Sequence, residues 1–445
     1  MKKRWRIAGW AALALVAALA YASYRTVWGK PFTINMLANR QALEFLMRNP
    51  EVFSAVGIID GSILDHHSDK LAPYTLAQRD AGYAQLARFV RQVREFDRAA
   101  LSRQDQITYD ILIDQYESGL AFQRFTWLAG DELYPVSPMF GGEVQLPSFM
   151  QTTVIVSNDR TARNYVKRLV AMGTKLDQVT AALEWQAHQG VVLPPSLLER
   201  SLVVIRDTVS AGAADNTLVT SFIARMSRLA SLDAARKRQL GDEAVQAVRA
   251  QVYPAYARMS AALVALRPAA ATQAAGVGRL PDGAAYYAEA LKVSTTTNYT
   301  PEQVHALGLS EVERVTRELD GLLTAQGKAA GTVGERMTAL AQDPRFLLSN
   351  DEQGRRAALA RYQKLLDEVA ARMPEYFRTL PTRRLVVERV PQSQEKGTSG
   401  AYYQQAAMDG SRPGMFFANL RDMTEVPTWK MNTLAYHEGI PGHHL

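Results

Sequence analysis

Apolar residues recur at three- and four-residue steps along most of the chain, a spacing that predicts helices. Over residues 81–97, Tyr83, Leu86, Phe89, Val90, Val93 and Phe96 fall on one face, with Arg and Gln between them. Ser102, followed by Asp105, opens a further helix that carries Ile107, Ile111 and Leu112. Residues 161–188 repeat the amphipathic pattern and close near Gly190, and Pro194 and Pro195 suit the first turn of the next helix. A long helical segment over 233–266 should kink or break at Pro254. Thr300-Pro301-Glu302-Gln303 is a strong helix start, with a capping Thr, a first-turn proline and a glutamine three residues after the cap. Helical periodicity then continues through Met373.

The texture changes after Pro381. Residues 385–388 and 415–420 are strand candidates, the second preceded by the turn-rich run Asp409-Gly410-Ser411-Arg412-Pro413-Gly414. A mainly α-helical chain with a small sheet near its C-terminal end is the economical fold. The Pro/Gly/Ala stretch 267–283 is the best internal boundary. It divides a helical region, 25–266, from a region over 284–445 that carries the chemistry.

The first 24 residues read differently. Lys2, Lys3, Arg4 and Arg6 precede an uncharged, largely Ala/Leu/Val run over 7–24. This is the layout of an export signal or of an uncleaved inner-membrane anchor. Either sends the remainder to the periplasm or cell envelope. Those four cations also account for much of the net charge of +7; without them the balance falls to +3. No basic stripe with interleaved aromatics follows, so nucleic acid is not an expected partner.

The chain has 445 residues, 47% of them hydrophobic, and no cysteine. That excludes a disulfide framework, a thiolate nucleophile, cysteine-based metal sites and an acylated lipoprotein cysteine in this chain. No G-x-S-x-G elbow or complete phosphate loop occurs. Asp65-His66-His67-Ser68-Asp69 could be a metal cluster, but its polar context reads as a solvated loop.

Three of the seven histidines, His437, His443 and His444, fall within the last nine residues. His437-Glu438 followed by further histidines has the layout of a zinc-hydrolase helix. Neutral imidazoles hold Zn²⁺ with an open position, and a carboxylate beside the first ligand can take a proton from water there. In H-E-x-x-H the second imidazole follows four residues after the first, about 40° round the helix and about 6 Å along it. Here that position is Pro441. His443 would lie about 240° round a regular helix and His444 about 10.5 Å along it. Pro441 cannot donate to the carbonyl of His437, and Gly442 permits an unusual backbone angle. A bulge could therefore absorb the two extra residues and return His443 to His437, with His444 as the alternative ligand.

The string PTWKMNTLAYHEGIPGHHL, residues 427–445, resembles a bacterial family catalogued as domain of unknown function 885, a set of candidate zincin-like metallopeptidases. Further matching strings lie at 189–202, 280–291, 300–315 and 409–420. The resemblance implies a mainly helical, zincin-like (gluzincin-related) metallopeptidase fold. It implies Zn²⁺ held by His437 and one of His443 and His444, with Glu438 as general base and a peptide as substrate. A third ligand, usually Glu, comes from a later helix in such enzymes and is expected beyond Leu445. In zincins an edge strand beside the active-site helix pairs with extended substrate, and residues 415–420 are the candidate. Asn419 and Arg412 are candidate substrate contacts, and Tyr402 or Tyr403 a candidate oxyanion donor. The competing expectation is a non-catalytic envelope binding or scaffold protein that keeps the same fold.

Overall fold

The computed structural model describes residues 2–271, 276–392, 395–396 and 399–445; over 2–9 and 11–15 only the backbone is described. It is mainly helical. The first third of the chain contains α1 (Lys2–Val27), α2 (Ile34–Arg48), α3 (Pro50–Val56), α4 (Leu76–Arg94), α5 (Arg103–Ala121) and α6 (Gly142–Thr152). The longest helix, α7 (Asp159–His188), is followed by α8 (Pro195–Val209), α9 (Thr217–Ser227), α10 (Ala234–Ala247) and α11 (Tyr253–Ala271). Then come α12 (Gly283–Thr295), α13 (Pro301–Ala325), α14 (Val333–Ala341), α15 (Glu352–Arg372) and α16 (Met431–Glu438).

The expected starts follow from local chemistry. Ser102 accepts the Asp105 backbone N–H, and Thr300 and Gln303 close a reciprocal capping box at α13. Gly190 closes the end of α7 with φ 81°, a left-handed angle that a Cβ would disfavour. Pro254 does not break its helix. A single π-helical turn, Val248–Val252, joins α10 to α11 and widens the backbone just ahead of the proline ring.

The main core is built on α7, whose inward stripe includes Tyr165, Leu169, Met172, Leu176, Val179 and Leu183. Leu198, Phe222, Val252 and Tyr256 from the following helices close around it, and the same core reaches Leu280. A smaller cluster joins α2, α4 and the α5 face through Ile34, Leu37, Val93 and Phe96. Among the described residues, no helix is long and apolar enough to cross a membrane. The anchor expected over 7–24 falls in part outside the described side chains and gains no support.

The third core lies under the sheet. Strands β1 (Leu385–Arg389), β2 (Ala401–Gln404) and β3 (Gly414–Ala418) are ordered β1-β3-β2. β1 runs parallel to β3, with Leu385 opposite Gly414, and β2 runs antiparallel, with Tyr403 opposite Phe416. The strand expected over 415–420 is therefore central, not an edge: both its sides are taken by neighbouring strands. β1 and β2 hold the outer edges. Phe416 packs edge-on against Tyr362 of α15, with ring centroids 5.0 Å apart. Met431 and Ala435 of α16 are buried in the same cluster.

The sheet is pinned to the helical region by backbone and side-chain bonds. Met408 and Asp409 donate to the carbonyls of Val56 and Gly57 at 2.8 and 2.9 Å, and Gln404 reaches Thr153 Oγ1 at 2.8 Å. Of the 65–69 segment, expected as a solvated loop, His67 and Ser68 are packed inward while His66 stays exposed. His67 is 3% exposed, stacks on Phe53 at 4.1 Å and lies between Asp60 and Asp65 at 3.3 and 3.5 Å. Asn164 of α7 donates to the Ser68 hydroxyl at 2.7 Å, and Arg168 on the same helix is fully buried. Its guanidinium draws the carbonyls of Pro50, His67 and Lys70 and the Ser54 hydroxyl around it, because a buried cation must be given acceptors.

Candidate metal centre

α16 presents its C-terminal end at the surface beside the sheet. Met431 and Ala435 pack in the cluster with α15 and the strands, Glu438 is buried at the helix end, and His437 remains exposed. Gly439 ends the helix with φ −112° and ψ −109°. A Cβ there would strike the Leu366 side chain and lie 2.7 Å from the Ala435 carbonyl oxygen. The chain then turns through the cis Ile440–Pro441 bond.

The two extra residues are absorbed in a wide turn. The Gly442 N–H donates to the Tyr436 carbonyl at 2.9 Å, and the His443 N–H donates to the His437 carbonyl at 3.1 Å. Each bond spans six residues, not four. The expected bulge is present, but Gly442 serves it through space and not through a left-handed angle: it is absent from the positive-φ glycines. A Cβ on Gly442 would overlap the His437 carbonyl oxygen and lie 2.5 Å from that of Tyr436.

This turn brings His443 back over the helix end. The His437 and His443 rings stand perpendicular, at 89°, with centroids 5.1 Å apart. His443 Nε2 lies 3.8 Å from Glu438 Oε2. One donor atom from each of His437, Glu438 and His443 falls within 4.8 Å of the other two. Both imidazoles are open to solvent, whereas Glu438 is 9% exposed. The two imidazoles offer a donor pair of the kind that binds Zn²⁺, with the carboxylate beside them.

His444 is held elsewhere. It is 8% exposed, with Nε2 2.9 Å from the Arg383 carbonyl and Nδ1 3.0 Å from the Tyr403 hydroxyl. A carbonyl can only accept, so Nε2 carries the hydrogen, and in the neutral ring Nδ1 accepts from the phenol. Burial pushes the Tyr403 phenol above its ordinary pKa, which keeps it a donor. Gly414 admits this contact, since a Cβ there would lie 2.5 Å from His444 Nδ1. The Tyr403 ring also stacks 6.1 Å from that of His443.

The other expected contacts are engaged differently. Tyr402 points to the opposite face of β2 and stacks on Phe417 at 4.9 Å, and burial pushes its hydroxyl up to about 12. Arg412 is 8% exposed and donates to the carbonyls of Thr153, Ala55 and Gln405. Asn419 donates to the carbonyls of Glu395 and Ser399. Of the four, only Tyr403 stands beside the histidines. Strand β2, which places it there, has no counterpart among the sequence expectations; the Tyr402-Tyr403 pair after Gly400 was its available signal.

No curated protein matches the chain. A solved structure from Colwellia psychrerythraea, described as a candidate lipoprotein, superposes with a TM-score of 0.82 at 26% identity, over 91% of this chain and 71% of that one. A family model described as bacterial protein of unknown function (DUF885) matches residues 50–445. With nearly the whole helical body and the His437–His444 turn inside that match, the chain belongs to the DUF885 family.

Proposed function

We propose that the protein is a zinc-dependent peptidase of the cell envelope. The observation that carries this reading is the wide turn that gathers His437, Glu438 and His443, with donor atoms within 4.8 Å, from a spacing that a regular helix would hold apart. His437 and His443 would hold the metal; His444, with both nitrogens occupied, would not. A zinc ion there supplies Lewis acidity and lowers the pKa of water at an open coordination position towards about 7. Glu438 is the proton carrier. Its carboxyl is buried at the helix end, next to the first ligand, where it can accept a proton from the attacking water and return it to the leaving amine. Tyr403 and His444 form a paired prop that fixes the strand and turn around the donors. The zincin-like character of the fold rests on this same donor arrangement beside a sheet. An envelope location is supported by the export-type N-terminus and by the lipoprotein description of the Colwellia structure.

The decisive experiment combines metal analysis with hydrolysis of a quenched fluorescent peptide library. The full-length wild-type protein should bind one zinc and cleave peptides. Glu438→Gln should keep the zinc and lose turnover, and His437→Ala or His443→Ala should lose the zinc. Cleavage by the Glu438→Gln protein, or zinc retained after both histidine changes, would overturn the proposal.

A further inference from the structure

The sequence leaves the first helix open between a cleaved signal and a retained anchor. Small residues at Ala18 and Ala20, or at Ala20 and Ala22, are the available cleavage signals, so a cut would fall after Ala20 or Ala22. Neither point is a boundary of the fold. α1 runs unbroken through both to Val27, and the Thr26 hydroxyl donates to the Ala22 carbonyl at 2.8 Å. A cut would leave residues 21–27 or 23–27 as a stub of about two turns or fewer, too short to stay helical by itself.

That stub is built into the body. Arg40 of α2 gathers the carbonyls of Thr26, Val27 and Gly29 at 3.4, 3.3 and 2.7 Å, which satisfies the helix end. Arg25 donates to the Tyr21 hydroxyl at 2.8 Å and to the Lys30 carbonyl, and its guanidinium lies 4.8 Å from the centroid of the Phe32 ring. Lys30 reaches the Glu95 carbonyl, just beyond α4, at 2.6 Å. The end of α1 is thus fixed to the helical body and does not hang from a free linker.

The apolar side chains of this end have no protein cover. Val16, Leu19, Tyr21, Tyr24, Trp28 and Phe32 each expose more than half their surface, and Trp28 is 75% exposed. The Trp28 N–H donates to the Tyr24 carbonyl at 2.9 Å, which carries the helical path one residue past α1. Tyr21, Tyr24 and Trp28 therefore follow at steps of three and four and line one side of it. Tyrosine and tryptophan settle in the headgroup layer of a bilayer, where one end of the ring is apolar and the other wet. The length fits. As a helix, the uncharged run 7–24 measures about 27 Å, against a hydrocarbon core of about 30 Å, with Lys2, Lys3, Arg4 and Arg6 at its far end. The three rings stand where this run meets the opposite interface, and the cations beside them, Arg25, Lys30 and Arg40, are turned to partners in the protein.

We propose that α1 is retained in the mature protein and that Tyr21, Tyr24 and Trp28 sit in the headgroup layer of a phospholipid bilayer, holding the helical body against the face of the membrane away from the cytoplasm. This surface is independent of the His437–His443 centre.

The test uses the chain expressed with its own N-terminus in a bacterial host. Intact mass should show residues 2–27 retained, and the protein should stay in the membrane fraction through an alkaline carbonate wash. For the rings, Trp5→Phe with Trp10→Phe leaves Trp28 as the sole tryptophan ahead of Trp127. In vesicles of phosphatidylethanolamine and phosphatidylglycerol, lipid brominated near the headgroup should quench this protein at least twofold more than lipid brominated near the tail ends. Adding Trp28→Phe should abolish the difference. His437→Ala should be retained in the membrane like wild type. A mature chain beginning at Tyr21 or Ser23, release by carbonate, equal quenching by the two lipids, or a difference that persists in Trp28→Phe would each overturn the proposal.

Discussion

Replacing Gly442 by Ala tests the metal-site geometry at its narrowest point. The added methyl would overlap the His437 carbonyl oxygen and approach that of Tyr436 to 2.5 Å. Both oxygens are backbone atoms, and both accept the hydrogen bonds that close the turn, so neither can move without opening it. The cost combines overpacking, about 1–3 kcal/mol, with loss of two backbone bonds at about 1 kcal/mol each. Partial relaxation of the exposed turn should leave a net loss of about 2–3 kcal/mol. The larger effect is on the donors, because His443 is carried by the strained segment. Displacing a ligand's backbone support should weaken zinc about 10–100-fold. Competition with a chromogenic chelator reads the affinity, and denaturant unfolding reads the stability. Gly334→Ala is the control: that glycine lies exposed on α14 with nothing within 4 Å of a Cβ, and alanine there should stabilise by about 0.5–1 kcal/mol while leaving zinc affinity alone. If Gly442→Ala matched wild type in both measurements, the wide turn would not be what holds His443.

Tyr403→Phe should keep zinc, cost about 1 kcal/mol through the lost bond to His444, and lower peptide turnover far less than Glu438→Gln, as measured by unfolding and by the peptide assay. Arg412→Ala should cost about 3 kcal/mol in denaturant unfolding, because three carbonyls joining the sheet to the helices lose their donor, while zinc content stays unchanged. Glu143, fully buried, has its carboxyl pushed up to about 8 by desolvation. Its folded pKa lies above the unfolded value of 4.5, so the folded state holds a proton that the unfolded state releases. Stability should therefore fall as pH rises from about 4.5 to about 8, by about 1.4 kcal/mol per unit, and level off above. Unfolding of Glu143→Gln across this range should show that slope removed; an unchanged slope would refute the assignment.

Much of the helical body was legible because its signals are local. A cap such as Ser102 or Thr300 acts within one turn, and the stripe over 81–97 needs only its own periodicity. The errors came where distant segments decide the outcome. Residues 415–418 are strand-like wherever they sit, but their central place depends on Leu385–Arg389 and Ala401–Gln404 pairing on both sides. The 65–69 run is polar enough to read as solvated, and Phe53, Asn164 and Arg168, distant in the chain, turn His67 and Ser68 inward. Likewise Arg412 and Asn419 look like free recognition groups until the carbonyls of Ala55, Thr153 and Glu395 are brought to them. The choice between His443 and His444 was open for the same reason, since it turns on the Arg383 carbonyl and Tyr403.

The unusual spacing of the terminal histidines turns on the carbonyl oxygen of His437, beside the Tyr436 carbonyl that holds Gly442. In a regular helix the residue four positions on would donate to it, and in H-E-x-x-H that residue is the second histidine. Here the fourth position is Pro441, which has no N–H to give. The acceptor is therefore free, and the His443 N–H takes it at 3.1 Å. The backbone of His443 is thus tied to the same oxygen that would hold the second histidine of the shorter motif, and its ring centroid lies 5.1 Å from that of His437. Gly442 is required next to it because any Cβ would collide with that same oxygen. Proline, glycine and histidine at consecutive positions are three parts of one device: one vacates the acceptor, one clears the space and one fills it. A six-residue spacing can then deliver the donor pair that a four-residue spacing delivers in a helix, and it leaves Glu438 in place beside the first imidazole.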